Sequence, residues 1–252
     1  MNTIEKKEIN FSDLKKKENL SQGLYPATFF VDEKNKKMYK MFPWIKRYEC
    51  ELKEKKLIEF DKVDNSSLSK AKDLIYNYDM DLVGYTQDLI EGDTLYNNIS
   101  KKGLLKEMKA ILEASKQLEE LHKNDILVNY MHFGNIMVDE EEKPHFISID
   151  NYKIKDLESS GTTIQLNNFF AQKNKKLEKN TNTDIIGFYL SLFSKIFSVD
   201  IYCVKPESYN SLLGTYPFLK ELYPLFMDLS KRSGSIPEVP YLHKVLKNYN
   251  NE

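Results

Sequence analysis

The stretch that most limits what this chain can become is residues 127–152, LVNYMHFGNIMVDEEEKPHFISIDNY, where a few polar residues are set sharply against apolar runs. Asn135 is followed by Ile-Met-Val, Asp150 is preceded by Phe-Ile-Ser-Ile, and a charged, Pro-containing connector occupies 139–144. Two short apolar runs around such a connector predict a β-hairpin, because the runs pair as strands while the connector reverses the chain. The pairing brings Asn135, just before the first strand, and Asp150, at the end of the second, to one edge. An amide oxygen and a carboxylate converging there suit a hard cation such as Mg²⁺, which prefers oxygen ligands. The plainer alternative is an ordinary hairpin whose Asn and Asp bond only within turns.

With 252 residues, 41% of them hydrophobic, the chain can bury a full core as one domain or as two lobes sharing an interface. Its 37 basic and 38 acidic residues are well mixed and give a formal net charge of -1, which argues against nucleic-acid binding through a general positive field. Two distant cysteines, Cys50 and Cys203, and an N-terminus without an apolar signal region predict a reducing, cytoplasmic setting. The most apolar window, 185–197, is interrupted by Lys195 and too short to span a bilayer, so it predicts a buried helix.

In chain order, residues 3–19 read as a loose strand or an exposed short helix, and 20–31 as a turn and strand. The charged turn 32–37 and a second strand, 38–42, complete a hairpin. Lys40, in the middle of that second strand, either faces solvent or points into a cleft. Residues 44–60 have helical spacing, with Ile45, Tyr48, Leu52 and Leu57 as the apolar stripe and Glu51 and Glu54 on its margin. A further helical run is expected after the Ser-rich turn at 66–69, ending near Asn77. Residues 82–99 begin as a strand, break at Gly92 and resume as a short helix capped by Thr94 or Asp93. The most regular helix is expected over 104–123, delivering the chain to the hairpin. His122, near its end, suits the helix C-terminus and is given no catalytic role. Asp79, Asp81 and the acids at 139–142 read as solvated charge, and Cys50 has no Cys/His constellation about it.

This order of strand pair, helix, strand, hinge, long helix and polar-edged hairpin resembles the protein-kinase-like superfamily, including its bacterial and small-molecule branches, over residues 20–200. Gly134-Asn135-Ile136-Met137-Val138 is similar to the Asn end of that family's catalytic loop, and Ile149-Asp150-Asn151-Tyr152 to its metal-binding triplet. The resemblance implies an α+β, two-lobed fold, with a small β-rich lobe at 1–90, a helical lobe at 91–252 and the boundary near 89–92. It implies ATP and Mg²⁺ as cofactors. Lys40 would hold phosphate with Glu54 as its helical partner, or Glu51 in its stead; Gly23 would belong to the nucleotide-covering loop, and Asn135 and Asp150 would bind the metal. His132 would stand beside the transferred phosphate, and Asp184 would brace the catalytic loop from beneath. Residues 153–182 take the place of an activation segment and predict a loop anchored at Phe169 and Phe170, with Ser159, Ser160, Thr162 and Thr163 as possible phosphate acceptors.

Three departures from the family pattern bear on activity. Tyr130 stands where the catalytic loop has its Asp, and a phenol with an ordinary pKa of about 10 is a poor general base. Gly23 is the lone glycine of LSQGLYPA, where close backbone approach to phosphates favours several. Asn151-Tyr152 replaces the pair that usually follows the metal Asp. The expectation is therefore a cytoplasmic pseudokinase that binds ATP and Mg²⁺ weakly and acts through a protein partner, with no nucleic acid and no membrane span. The alternatives are an active phosphotransferase with a non-standard base, in which Tyr130 and His132 would be the catalytic residues, and an interaction module with a collapsed cleft.

Overall fold

A computed structural model describes residues 5–6, 15–17, 27–42 and 46–249, and the fold is α+β. A six-stranded sheet comprises β1 (Glu5–Lys6), β2 (Lys15–Lys17), β3 (Thr28–Asp32), β4 (Lys37–Met41), β5 (Asp73–Tyr76) and β6 (Leu82–Asp88), in the order β1-β5-β6-β4-β3-β2. Only the β1–β5 pair is parallel. The β3–β4 turn closes because Asp32 accepts from the Asn35 backbone at 3.0 Å and from its side chain at 2.7 Å, the local bonding that favours Asx residues in turns. Strand alternation puts Met38 and Lys40 on the buried face of β4, and the register sets Lys40 between Phe29 of β3 and Tyr85 of β6.

Helix α1 (Arg47–Asp61) packs against β6 and against a short helical turn at Ile149–Asn151. Its buried face is Cys50, Lys53, Lys56, Leu57 and Phe60. The stripe expected from apolar spacing is thus displaced: Leu57 is buried, but Tyr48 is exposed, Leu52 is half-buried, and Ile45 lies outside the described residues. The helix is rolled so that two lysines point inward, their aliphatic stems packing as apolar side chains do. The helix expected after the Ser-rich turn is instead strand β5. Asp73, Leu74 and Ile75 are buried there, and pairing with β1 and β6 satisfies backbone groups that one isolated helical turn would leave open.

The chain continues through β7 (Gly92–Thr94), α2 (Leu95–Lys102) and α3 (Met108–Lys123) to β8 (Ile126–Leu127), β9 (Ile136–Asp139) and β10 (Pro144–Phe146). Thr94 is the cap of α2, its hydroxyl accepting from Asn97 N at 3.2 Å. A hairpin forms as β9–β10, with Ile136 opposite Phe146, but its second strand begins at Pro144, within the expected connector, and ends at Phe146, so Asp150 lies on a separate helical turn rather than at the strand end; β7 pairs on the outer side of β9. A side chain at Gly92, where φ is +158°, would place Cβ 2.0 Å from the Val138 carbonyl oxygen, so that crossing requires glycine.

β11 (Lys153–Ile154) pairs with β8, and α4 (Ile164–Gln172) and α5 (Thr181–Phe197) follow. Residues 153–182 are therefore not simply a loop: the Thr163 hydroxyl caps α4 by accepting from Leu166 N at 3.1 Å, and Phe169 and Phe170 anchor that helix in the core. α6 (Pro206–Ser211), α7 (Leu219–Ser230) and α8 (Leu242–Val245) complete the described chain. The apolar window becomes α5, whose residues 183–193 are all buried. Among the described residues no helix is long and apolar enough to cross a membrane.

Candidate functional site

Asp150 is the point where the sheet, α1 and the hairpin meet, and only 1% of it is exposed. Ser148, in the left-handed region at φ 62°, bends the chain out of β10 so that the turn at Ile149–Asn151 presents the carboxylate to the sheet. Lys40 Nζ donates to Asp150 Oδ1 at 2.6 Å across 110 residues of sequence, and Tyr85 donates its phenol to the same oxygen at 3.0 Å. Lys53 Nζ, from α1, donates to Asp150 Oδ2 at 2.6 Å and to Asn151 Oδ1 at 3.0 Å. Aromatic faces lie near both ammoniums, with Lys40 5.8 Å from the Phe29 centroid and 5.9 Å from that of Tyr85, and Lys53 4.9 Å from Phe42. Burial alone would raise the Asp150 carboxyl, but the charges of Lys40 and Lys53 outweigh it and hold the group well below the usual carboxylate range.

One turn further along α1, Lys56 is 0% exposed. Its one hydrogen bond among the described residues runs to Ser160 Oγ at 3.4 Å. Burial, reinforced by the neighbouring Lys53 charge, pushes its ammonium down to about 8. Beside it, Lys179 donates to the Ser159 carbonyl at 3.1 Å.

Glu54 does not partner Lys40; it accepts from the Tyr76 phenol at 2.5 Å. Glu51, the stand-in for that role, is exposed, with Arg47 Nε 3.7 Å away. The physical reason is the orientation of α1, which turns the lysines at 53 and 56 toward Asp150 and leaves the glutamates on its margin. Gly23 lies outside the described residues.

On the hairpin side, Asp184 anchors residues 128–135, accepting from Val128 N at 2.7 Å and Asn129 N at 2.6 Å, with His122 Nε2 3.0 Å from Oδ2. His122 Nδ1 lies 2.7 Å from the Tyr241 hydroxyl, so this histidine links α3, α5 and the C-terminal chain. Gly187 allows α5 to approach, since a Cβ there would stand 3.0 Å from Met131 Cβ. Asn135 donates its Nδ2 to the Tyr130 carbonyl at 2.8 Å, and its own carbonyl accepts from Ile147 N at 3.1 Å. The Tyr130 and His132 rings pack edge to face at 5.6 Å. His132 Nδ1 accepts from Gly134 N at 3.0 Å, and burial pushes its imidazole down to about 4. The ring is therefore neutral at pH 7. Burial also raises the Tyr130 phenol, further from use as a base. Among the expected phosphate acceptors, Ser159 and Thr163 are buried, and the Thr163 hydroxyl is already used as a cap.

Ammoniums stand where a divalent cation would approach Asp150. Both Asp150 oxygens are engaged by ammoniums at 2.6 Å, and among the described residues no three His, Cys, Asp or Glu side chains gather in a metal-binding group. An open cleft of about 620 Å³, lined by residues such as Lys70, Asp88, Glu91, Asp139 and His145, includes neither Lys40 nor Asp150. The residues that sequence reasoning missed are Lys53, Lys56 and Tyr85. Their signal was present in the spacing Cys50, Lys53, Lys56-Leu57, Phe60, a helical face on which lysine was read as polar margin. Compared with models of known protein families and with curated proteins, the chain matches none.

Proposed function

We propose that the chain is a pseudokinase of protein-kinase-like fold. Residues 1–90 form its small lobe, residues 91–252 its helical lobe, and a nucleotide such as ATP binds between them without losing its phosphate. The observation that carries this reading is the bond from Lys40 to Asp150, because a strand lysine and an Asp just past a hairpin are the pair that a phosphate-handling cleft of this kind brings together. The tie from Asp184 to the backbone of Val128 and Asn129 supports the same reading. Absence of transfer is supported by Tyr130 in place of a carboxylate base, by a neutral His132 and by the double engagement of Asp150. The protein then acts through its surface on a protein partner in the cytoplasm, a setting consistent with its two free cysteines.

Incubation with labelled ATP tests this directly. The expected result is a thermal shift with ATP and neither hydrolysis nor labelled protein. Robust turnover that disappears in Asp150→Asn would establish an active phosphotransferase instead, and no thermal shift with any nucleotide would establish an interaction module with a closed cleft.

A further inference from the structure

The buried charge around Asp150 does not balance. Lys40, Lys53 and Lys56 are 5%, 8% and 0% exposed, and among the described residues the one buried carboxylate beside them is Asp150. Neighbouring acids have their hydrogen bonds elsewhere, Glu54 with Tyr76 and Glu59 with Lys155 and Lys62, while Glu158, an exposed residue bonded to Lys153 at 2.8 Å, reaches Lys56 only through its charge. Three ammoniums against one carboxylate leave a surplus of two positive charges when all are protonated, and surplus charge in a buried place is strongly unfavourable unless an anion compensates it. Hydrogen bonding shows the same excess. An ammonium has three N–H donors, and Lys56 spends one of them on a long contact with Ser160 Oγ. Buried hydroxyls nearby in the chain are also unspent, since Ser159 Oγ and Thr162 Oγ1 have no hydrogen-bond partner among the described residues.

We propose that Lys53 occupies the place on Asp150 that a divalent cation would otherwise take, and that Lys40, Lys53 and Lys56 together receive the phosphate chain of a nucleotide with no metal ion. This rests on the pseudokinase reading for the nucleotide, while the anion site itself rests on the lysines. Metal in a phosphate-handling site serves chiefly to neutralise phosphate charge and bridge its oxygens, and two ammoniums supply that neutralisation from the protein itself. Lysine suits the task because its charge is a compact point on a flexible four-carbon stem, so the heads of Lys53 and Lys56 can turn to an incoming phosphate while α1 stays in place. Both Asp150 oxygens are held by ammoniums before phosphate arrives, where a metal would otherwise approach.

The test is calorimetric titration of the full chain with ATP and, separately, with inorganic tripolyphosphate, each in EDTA and in excess Mg²⁺. The expected result is that ATP binds in EDTA with a Kd within about threefold of the Mg²⁺ value, that tripolyphosphate also binds in EDTA, and that Lys53→Met and Lys56→Met each weaken both by about tenfold or more. ATP binding that requires Mg²⁺ would overturn the metal-free assignment and leave the nucleotide cleft standing. Tripolyphosphate binding without ATP binding would support the lysine site and overturn the nucleotide reading. Binding of neither would overturn both. If the two variants keep the parent circular dichroism spectrum and still bind as tightly as the parent, the assignment to Lys53 and Lys56 is wrong. The comparison of EDTA with Mg²⁺ needs only the parent chain, so it decides the matter even where a variant fails to fold.

Discussion

Asp150 and Asp184 are both buried carboxylates, 1% and 0% exposed, and they are held in opposite ways. Asp184 takes hydrogen bonds from two peptide N–H groups and stands against one imidazole, all fixed by the backbone of 128–129 and by α3. Asp150 takes two ammoniums and a phenol, delivered on long side chains from β4, α1 and β6. Peptide donors cannot withdraw without unfolding the loop they belong to. Ammonium heads can, because their stems rotate at modest cost. The first carboxylate is thus a structural tie and the second an exchangeable one, and that difference separates the anchor of the 128–135 loop from the place where the proposed nucleotide would act.

The largest break in this comparison is Asp150→Ala, which leaves Lys40 and Lys53 buried without their counter-ion. A loss of about 3–5 kcal/mol in urea unfolding is expected, the cost of uncompensated buried charge. Asp184→Asn should cost about 2–3 kcal/mol, since an amide NH₂ would oppose donors that now meet a carboxylate oxygen. The two should also differ in recovery. Added phosphate should restore part of the loss at Asp150→Ala, where an anion can stand in for the missing charge, and none at Asp184→Asn. Equal recovery in both would erase the distinction between tie and site.

Much of the Asp184 region was legible in the sequence, because it follows from local pattern. The long helix at 108–123, the 136–146 hairpin, the cap at Thr94 and the buried α5 all come from periodicity or turn chemistry within a few residues. The Asp150 region was legible only in part. Lys40 and Asp150 were each singled out, yet their direct bond was not expected, and the residue that α1 contributes is Lys53 rather than Glu54. A lysine on a helix face is read as solvent-facing, and only the tertiary approach of α1 to Ile149–Asn151 reveals a buried carboxylate able to hold it. Strand β5 was missed for a related reason. Its four residues carry no period of their own, and its identity is set by the neighbouring strands that pair with it. The helix in 164–172 likewise depends on one cap, Thr163, within an otherwise polar segment.

Lys56 supplies a smaller effect and a sign. Its ammonium is pushed down to about 8 by burial first and then by Lys53, with Asp150 opposing and Lys179 adding to the fall. The unfolded chain releases that proton near 10.4. Between these values the unfolded state binds more protons, so this residue makes stability rise with pH from about 8 to about 10, by at most about 1.4 kcal/mol per pH unit. Below that window both states are charged and the full cost of burying the ammonium is present. Lys56→Met should therefore stabilise the ligand-free protein by about 2 kcal/mol at pH 7, with the gain shrinking as pH rises through the window. Urea unfolding at pH 7, 8.5 and 10 measures it. A variant that is more stable yet binds tripolyphosphate more weakly would show a buried charge kept for a ligand at the expense of stability.

The smallest effect sharpens the comparison most finely, because it removes a neutral donor from the charged tie. The Tyr85 ring is fully buried, and its hydroxyl reaches Asp150 Oδ1 at 3.0 Å, the oxygen that Lys40 also holds. Burial and the adjacent carboxylate raise the phenol well above its ordinary value, so it is always a donor. Tyr85→Phe keeps the ring that faces Lys40 and removes only this bond. Were the phenol as necessary to Asp150 as the peptide donors are to Asp184, its loss would cost the 2–3 kcal/mol of a bond to a buried charge. With two ammoniums remaining, the expected loss is about 1 kcal/mol. A double-mutant cycle with Lys53→Met then separates the cases: if charge dominates the tie, removing Lys53 makes Tyr85 matter more, and the combined loss exceeds the sum of the single losses. Strict additivity in urea unfolding would show that the two donors serve Asp150 independently, and Asp150 would then resemble Asp184 more closely than its ammoniums suggest.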